Sequence, residues 1–229
     1  MMKMAARKSE KISNPVISKW INHQGKVDYS LLKKDKWFWE QIFALENANL
    51  SKYSRNEKLA FWLNTYNLLT IKGVLIELEK NPKWKGNVTV LAKLRFFILR
   101  KFPVAGKKLS LNYIENSIIR QRFKDPRVHF ALNCGSTSCP FLPNKLFQAE
   151  SLDKYLDNLT KFFINSGNVR IDEETKTVYL SRIFKWYKRD FEIVGGLEHF
   201  INKYWKEDPI DFSRYLIKFE DYDWSLNNQ

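Results

Sequence analysis

His129, Cys134 and Cys139 form the one group of soft or titratable side chains at short spacing in this sequence. A thiolate beside an imidazole is a strong nucleophile near neutral pH. The residue types therefore predict thiol-dependent hydrolysis or acyl transfer, with Cys134 or Cys139 as nucleophile and His129 as base. Arg127 to Asn133 alternates with Val128, Phe130 and Leu132 on one face, which predicts a strand. In a fully extended chain His129 and Cys134 stand about 16 Å apart, at roughly 3.3 Å per residue. Cys139, carried back by the loop Gly135-Ser136-Thr137-Ser138, is then at least as good a partner for the imidazole. Other readings of the same residues stay open. The cysteines can be inert buried groups, or can close a tight loop as a disulfide in an exported domain, and a lone histidine can be a satisfied core residue. Zinc fits poorly, because three ligands stand without a Cys-x-x-Cys pair or a fourth. Neither a metal nor a cofactor is expected.

Asn64 and Asn67 share one stripe of a long apolar segment with Ala60 and Ile71. Amides in that setting need partners, since a buried polar group left unsatisfied costs on the order of 1–3 kcal/mol. Asn64 is the candidate to orient the His129 ring or hold an oxyanion. Asn67, Asn133 and Ser136 are the candidate substrate-binding groups, although tying down the loop over 134–139 is the better account of Asn67. The 134–139 loop is expected to pack near Asn64.

The elements that must position these groups read as follows. Ser54-Arg55-Asn56-Glu57 is a capping box, which also accounts for Glu57. The helix it opens runs to about Leu78 and stops at Asn81-Pro82, apolar nearly all round and so buried. An amphipathic helix is predicted over 31–45, a hairpin turning at Ala105-Gly106, and a helix capped at Asn112 that ends before Asp125-Pro126. Further on come a helix bearing Leu152, Leu156, Leu159 and Phe163, a hairpin around Glu173-Glu174, and short helices near 183–191 and 196–205. A final strand runs from Ile217 to Tyr222. Without regular strand–helix alternation the class is α+β. The expectation is a single domain, its long buried central helix packed with further helices against a small, mainly antiparallel sheet and hairpins. A basic N-terminal extension, 1–26, precedes a globular domain over 27–229.

The chain has 229 residues and a formal charge of +14, with 44% hydrophobic residues. The excess is local: residues 1–20 contribute +4 and residues 72–124 contribute +10. Within 80–124 the lysines and arginines interleave with Trp84, Phe96, Phe97, Ile98 and Phe102. That composition suits an anionic polymer or an anionic membrane surface as partner. No transmembrane segment is expected, because the most apolar window contains Asn64, Asn67, Lys72 and Glu77. The compartment is read as cytoplasmic from the lack of a visible signal, or as exported with the signal removed. A Gly-rich phosphate loop, a Gly-x-Ser-x-Gly elbow and a His-Glu-x-x-His motif are all missing, which removes the common nucleotide, serine-hydrolase and zinc-protease readings.

Several stretches together carry a family likeness. They are the run from Ala60 to Thr70 (AFWLNTYNLLT), the run from Asp125 to Cys134 (DPRVHFALNC) with Cys139-Pro140, Leu109-Ser110-Leu111 with Ile114-Glu115, Leu180-Ser181 through Tyr187, and Tyr222 to Asn227. As a set the chain resembles the domain-of-unknown-function family 547, from about Val27 to Asn227. The resemblance implies a single fold unit, often exported in bacteria, and no assigned activity. The Lys-rich, aromatic-rich stretch between Asn81 and Phe102 departs from the pattern, so no family property is carried onto it. Non-catalytic binding of an anionic partner, with structural cysteines, is the alternative to thiol chemistry.

Overall fold

Ser54 starts the element around which the others are arranged. Its hydroxyl accepts the Glu57 amide at 3.3 Å while the Glu57 carboxylate accepts the Ser54 amide at 2.7 Å. The helix so begun, Arg55–Lys80, ends at Asn81, as its flanking residues predict. It is long and apolar enough to cross a membrane, but 78% of its most apolar stretch is buried in the fold, so it serves as the core helix. The structure, a computed structural model, describes residues 17–22, 25–143 and 145–229. Residues 1–16 of the expected N-terminal extension thus lie outside the described residues. Within that expected extension Trp20 is buried and stacks on Trp37 with ring centroids 5.7 Å apart.

The architecture is α+β: helices surround the central one, with a two-stranded hairpin and a three-stranded sheet. The hairpin Phe102–Val104/Lys107–Leu109 turns through Ala105 and Gly106, both at positive φ (47° and 73°). That conformation matches the right-handed twist of a two-residue connection. In the sheet, Val169–Asp172 pairs antiparallel with Thr177–Leu180, which pairs parallel with Leu216–Phe219.

Local chemistry redraws three predicted elements and adds one. The helix expected over 31–45 is two helices, Tyr29–Lys34 and Lys36–Glu46, because the Asp35 side chain accepts from the Phe38 amide and caps a new start. The helix over 111–123 is capped by Ser110, whose hydroxyl accepts from the Tyr113 amide, rather than by Asn112. The unassigned stretch after Asn87 contains a helix over 90–99, capped by Thr89. Most consequential, Arg127 to Asn133 is no strand. Pro126–Phe130 is a turn of 3-10 helix, started by the Asp125 carboxylate on the Arg127 amide and by Pro126 at the first position.

That turn sits between two hydrophobic clusters. Val128 packs with the cluster around the central helix, and Phe130 with the cluster under the three-stranded sheet. The segment 225–229 laces the first cluster together. Leu226 N–H donates to Lys85 C=O (2.9 Å), Thr137 N–H to Ser225 C=O (2.8 Å), and Val27 N–H to Asn227 C=O (2.8 Å). The Asn227 side chain accepts the Tyr29 hydroxyl at 2.7 Å and donates to Asn133 Oδ1 at 3.4 Å, both buried. Asn227→Ala removes these partners and should destabilise the fold by about 1–3 kcal/mol. The check is a lower urea midpoint at unchanged slope, and an unmoved midpoint would show that this segment does not hold the core.

Candidate active site

The concavity that His129 shares with the two cysteines has a volume of about 390 Å³. Phe97, Trp186, Tyr222 and Trp224 wall it, and Val90, Leu94 and Ile98 form an aliphatic rim. Its polar lining includes Tyr66, Glu115, His129, Tyr187 and the two cysteines. Each group arrives on a different element: Tyr66 on the central helix, Glu115 on a π-type stretch (Ile114–Arg120) of the 111–123 helix, His129 on the 3-10 turn, and Tyr187 beside two short helices.

His129 is buried, and its Nε2 lies 2.8 Å from Asp190 Oδ2. Asp190 is clamped from the other side by Arg120, Nε to Oδ2 at 2.7 Å and Nη2 to Oδ1 at 3.0 Å. Burial works against the Asp190 charge, but the hydrogen bonds from His129 and Arg120 outweigh it and hold the carboxyl below the usual carboxylate range. Burial also lowers the His129 pKa despite the carboxylate. The consistent state is a neutral imidazole donating from Nε2 to a carboxylate, which leaves the lone pair on Nδ1. The ring stacks on Tyr187 at 3.8 Å between centroids, and the Tyr187 hydroxyl donates to Glu115 Oε1 at 2.5 Å. Burial, and then the Glu115 charge, raise both the Tyr66 and Tyr187 hydroxyl pKa values, so both phenols stay protonated.

The two sulfurs are joined: Cys134 and Cys139 form a disulfide with Cα atoms 6.2 Å apart. The expected free thiol paired with His129 is therefore corrected twice. Each sulfur's bonding partner is the other sulfur, and the imidazole's partner is Asp190. The tight turn places donors around Cys139, with the Cys134 N–H at 2.8 Å and the Tyr222 hydroxyl at 3.1 Å, while the Ser136 hydroxyl lies 2.9 Å from Cys134 Sγ.

The asparagines are structural. Asn67 donates to Ala131 C=O at 2.9 Å and accepts from Asn133 N–H at 2.9 Å, as the backbone-tying account requires. Asn64 does not orient His129. Both ends of its amide are spent on the Phe147 backbone, at 3.0 and 2.9 Å, so it is Asn67 that holds the start of the cysteine loop. Asn133 is consumed by Pro140 C=O (2.7 Å) and Gly135 N–H (2.9 Å). Neither Asn64, Asn67, Asn133 nor Ser136 lines the main pocket, so their assignment to catalysis or substrate binding there gives way to a supporting role. Reasoning from residue types missed Asp190, Glu115, Tyr66, Tyr187 and Tyr222 as site groups. A usable signal was present: four of the five lie in the stretches that carry the family likeness. Among the described residues, no three or more His, Cys, Asp or Glu side chains are gathered to hold a metal ion.

The His129–Asp190 pair carries a pH signature. Both groups have native pKa values below their ordinary ones, so the unfolded chain binds more protons as pH falls. Stability is full above the ordinary histidine value of about 6.5, declines below it, and declines again below about 4. In His129→Gln, which keeps a donor for Asp190, melting temperature between pH 7 and about 5.5 should vary less than in the wild type. Equal slopes would reject the pairing.

No curated protein and no solved structure matches the chain. The family model described as a protein of unknown function, DUF547, matches residues 50–164, which include the central helix, the Ser110-capped helix and the cysteine loop. That match spans half of the sequence, and the chain belongs to the DUF547 family.

Proposed function

We propose that this domain is a thiol-dependent acyl hydrolase or acyl transferase whose disulfide is an oxidised resting state. The observation that carries the reading is the surroundings of Cys139 Sγ. A backbone N–H and a phenol that burial keeps protonated both approach it, in the pocket that also holds His129. Donors aimed at a sulfur stabilise its thiolate and lower its pKa. Reduction by a dithiol would yield two cysteines and the oxidised reductant. The Cys139 thiol gives its proton to His129, and the thiolate attacks a substrate carbonyl carbon; the bond to the leaving group, which takes that proton, breaks as a thioester forms. His129, oriented by Asp190, carries the proton to the leaving group and later takes one from the water or alcohol that cleaves the thioester.

A second reading, a binding pocket with structural cysteines, is favoured by the intact disulfide and by the spent amides around it. One assay separates the two. After reduction, Cys139 should alkylate with an apparent pKa below the free value of about 8.5, and a nitrophenyl ester or thioester should turn over. Cys139→Ser should abolish turnover and His129→Ala should lower it about a hundredfold or more. Both thiols titrating near 8.5, or no turnover by the reduced protein, would leave the binding reading as the account.

A further inference from the structure

The helix over 90–99 reverses the usual arrangement of an amphipathic helix. Leu91, Leu94, Arg95, Ile98 and Leu99 follow one helical stripe, the spacing that normally marks a core face. Here that stripe is exposed. Together with Val88 and Val90 just before it, its aliphatic side chains are between 40% and 82% accessible. Phe96, on the opposite side, is the buried anchor, stacked on Trp84 with centroids 6.0 Å apart. Scattered exposed leucines need no explanation, but a contiguous aliphatic stripe does.

Charge frames it. From Lys80 to Lys101 the sequence holds seven lysines and arginines and no Asp or Glu. Elsewhere in the basic 72–124 region, Lys72 and Arg120 are spent on Glu46 and Asp190, and within this stretch Arg100 is spent on Glu77. Lys80, Lys83, Lys85, Arg95 and Lys101 are exposed and have no ion-pair partner among the described residues. We propose that the 90–99 helix lies on an anionic lipid bilayer, its aliphatic stripe in the headgroup–acyl boundary and these cations against the lipid headgroups. The combination of inserted aliphatic area and flanking cations is what interfacial helices use. A nucleic acid would instead call for aromatic stacking platforms and groove-tracking cations, whereas the exposed groups here are Val, Leu and Ile.

The position of the pocket gives the surface a purpose. Val90, Leu94 and Ile98 belong both to the exposed face and to the rim of the aromatic pocket. A bilayer seated on this helix meets the mouth of the pocket, so the ligand delivered there is an amphiphile. Its chain lies along the aromatic wall and its polar end reaches Glu115 and His129. The docking does not rest on thiol chemistry, and it is tested on the protein as isolated, with its disulfide intact.

The test is co-sedimentation with phosphatidylcholine vesicles, alone or with about a third phosphatidylserine. The wild type should bind the anionic vesicles, weaken with added salt, and bind the neutral ones at least about tenfold less. Leu91→Asn with Leu99→Asn keeps every charge and should lose about tenfold in vesicle binding, as should the triple variant Lys83→Gln, Lys85→Gln, Arg95→Gln. All these positions are exposed, so unchanged melting temperatures would show that the variants are folded. Vesicle binding that ignores the leucine substitutions would overturn the proposal. So would salt-sensitive retention on heparin or duplex DNA without vesicle binding, which would mark a polyanion site instead.

Discussion

The primary amide of Asn67, buried on the central helix, is the contact on which the site depends. Its two ends clamp a backbone carbonyl and a backbone amide, Ala131 and Asn133, on either side of Leu132. Asn133, fixed in this way, turns its own amide onto Gly135 and Pro140 and so sets the shape of the cysteine loop. Each of these groups is buried, and each would cost about 1–3 kcal/mol if left without its partner. The network is therefore an all-or-none arrangement in which removing one amide strands several others. The disulfide at the pocket wall is positioned by this network as much as by its own covalent bond.

Electrostatics on the other wall follow the same logic of mutual dependence. Asp190 stays charged in a part-buried position because Arg120 grips both its oxygens and His129 adds a third donor. His129 stays neutral because burial outweighs the attraction of that carboxylate. The imidazole is left with one nitrogen committed and one basic, its ring stacked on a phenol whose hydroxyl donates to Glu115. Groups with unlike protonation preferences, gathered around one apolar cavity, are a usual mark of acid–base chemistry.

What could be read from the sequence was mostly local. The Ser54–Glu57 box, the stop at Asn81, the Ala105-Gly106 turn and the α+β class each follow from a few neighbouring residues. The 126–130 turn could not be read from its alternation, because its apolar residues are shared between two cores. Val128 serves one and Phe130 the other, so a period of two arises without a strand. The His129–Asp190 pair spans 61 residues, and spacing arguments carry no signal at that range. The cysteines were correctly singled out as a unit, but their types alone did not decide between thiols and a disulfide. On the 90–99 helix the periodicity is plain, yet periodicity reports only that one face is apolar and not which way it points.

The segment 225–229 imposes an order on assembly. Asn227 bonds Tyr29 across 198 positions and Asn133 across 94, and Leu226 holds the Lys85 backbone. During synthesis the central helix and the hairpin can form as they emerge, since the backbone hydrogen bonds that define them are local. The bonds that this segment supplies to Val27, Lys85 and the cysteine loop cannot form until residues 225–229 have left the ribosome. Until then Cys134 and Cys139 sit in a loop that lacks those bonds, open to whatever thiols or oxidants the compartment supplies. Pairing of the two cysteines can thus begin in the interval between translation of the loop and arrival of residues 225–229.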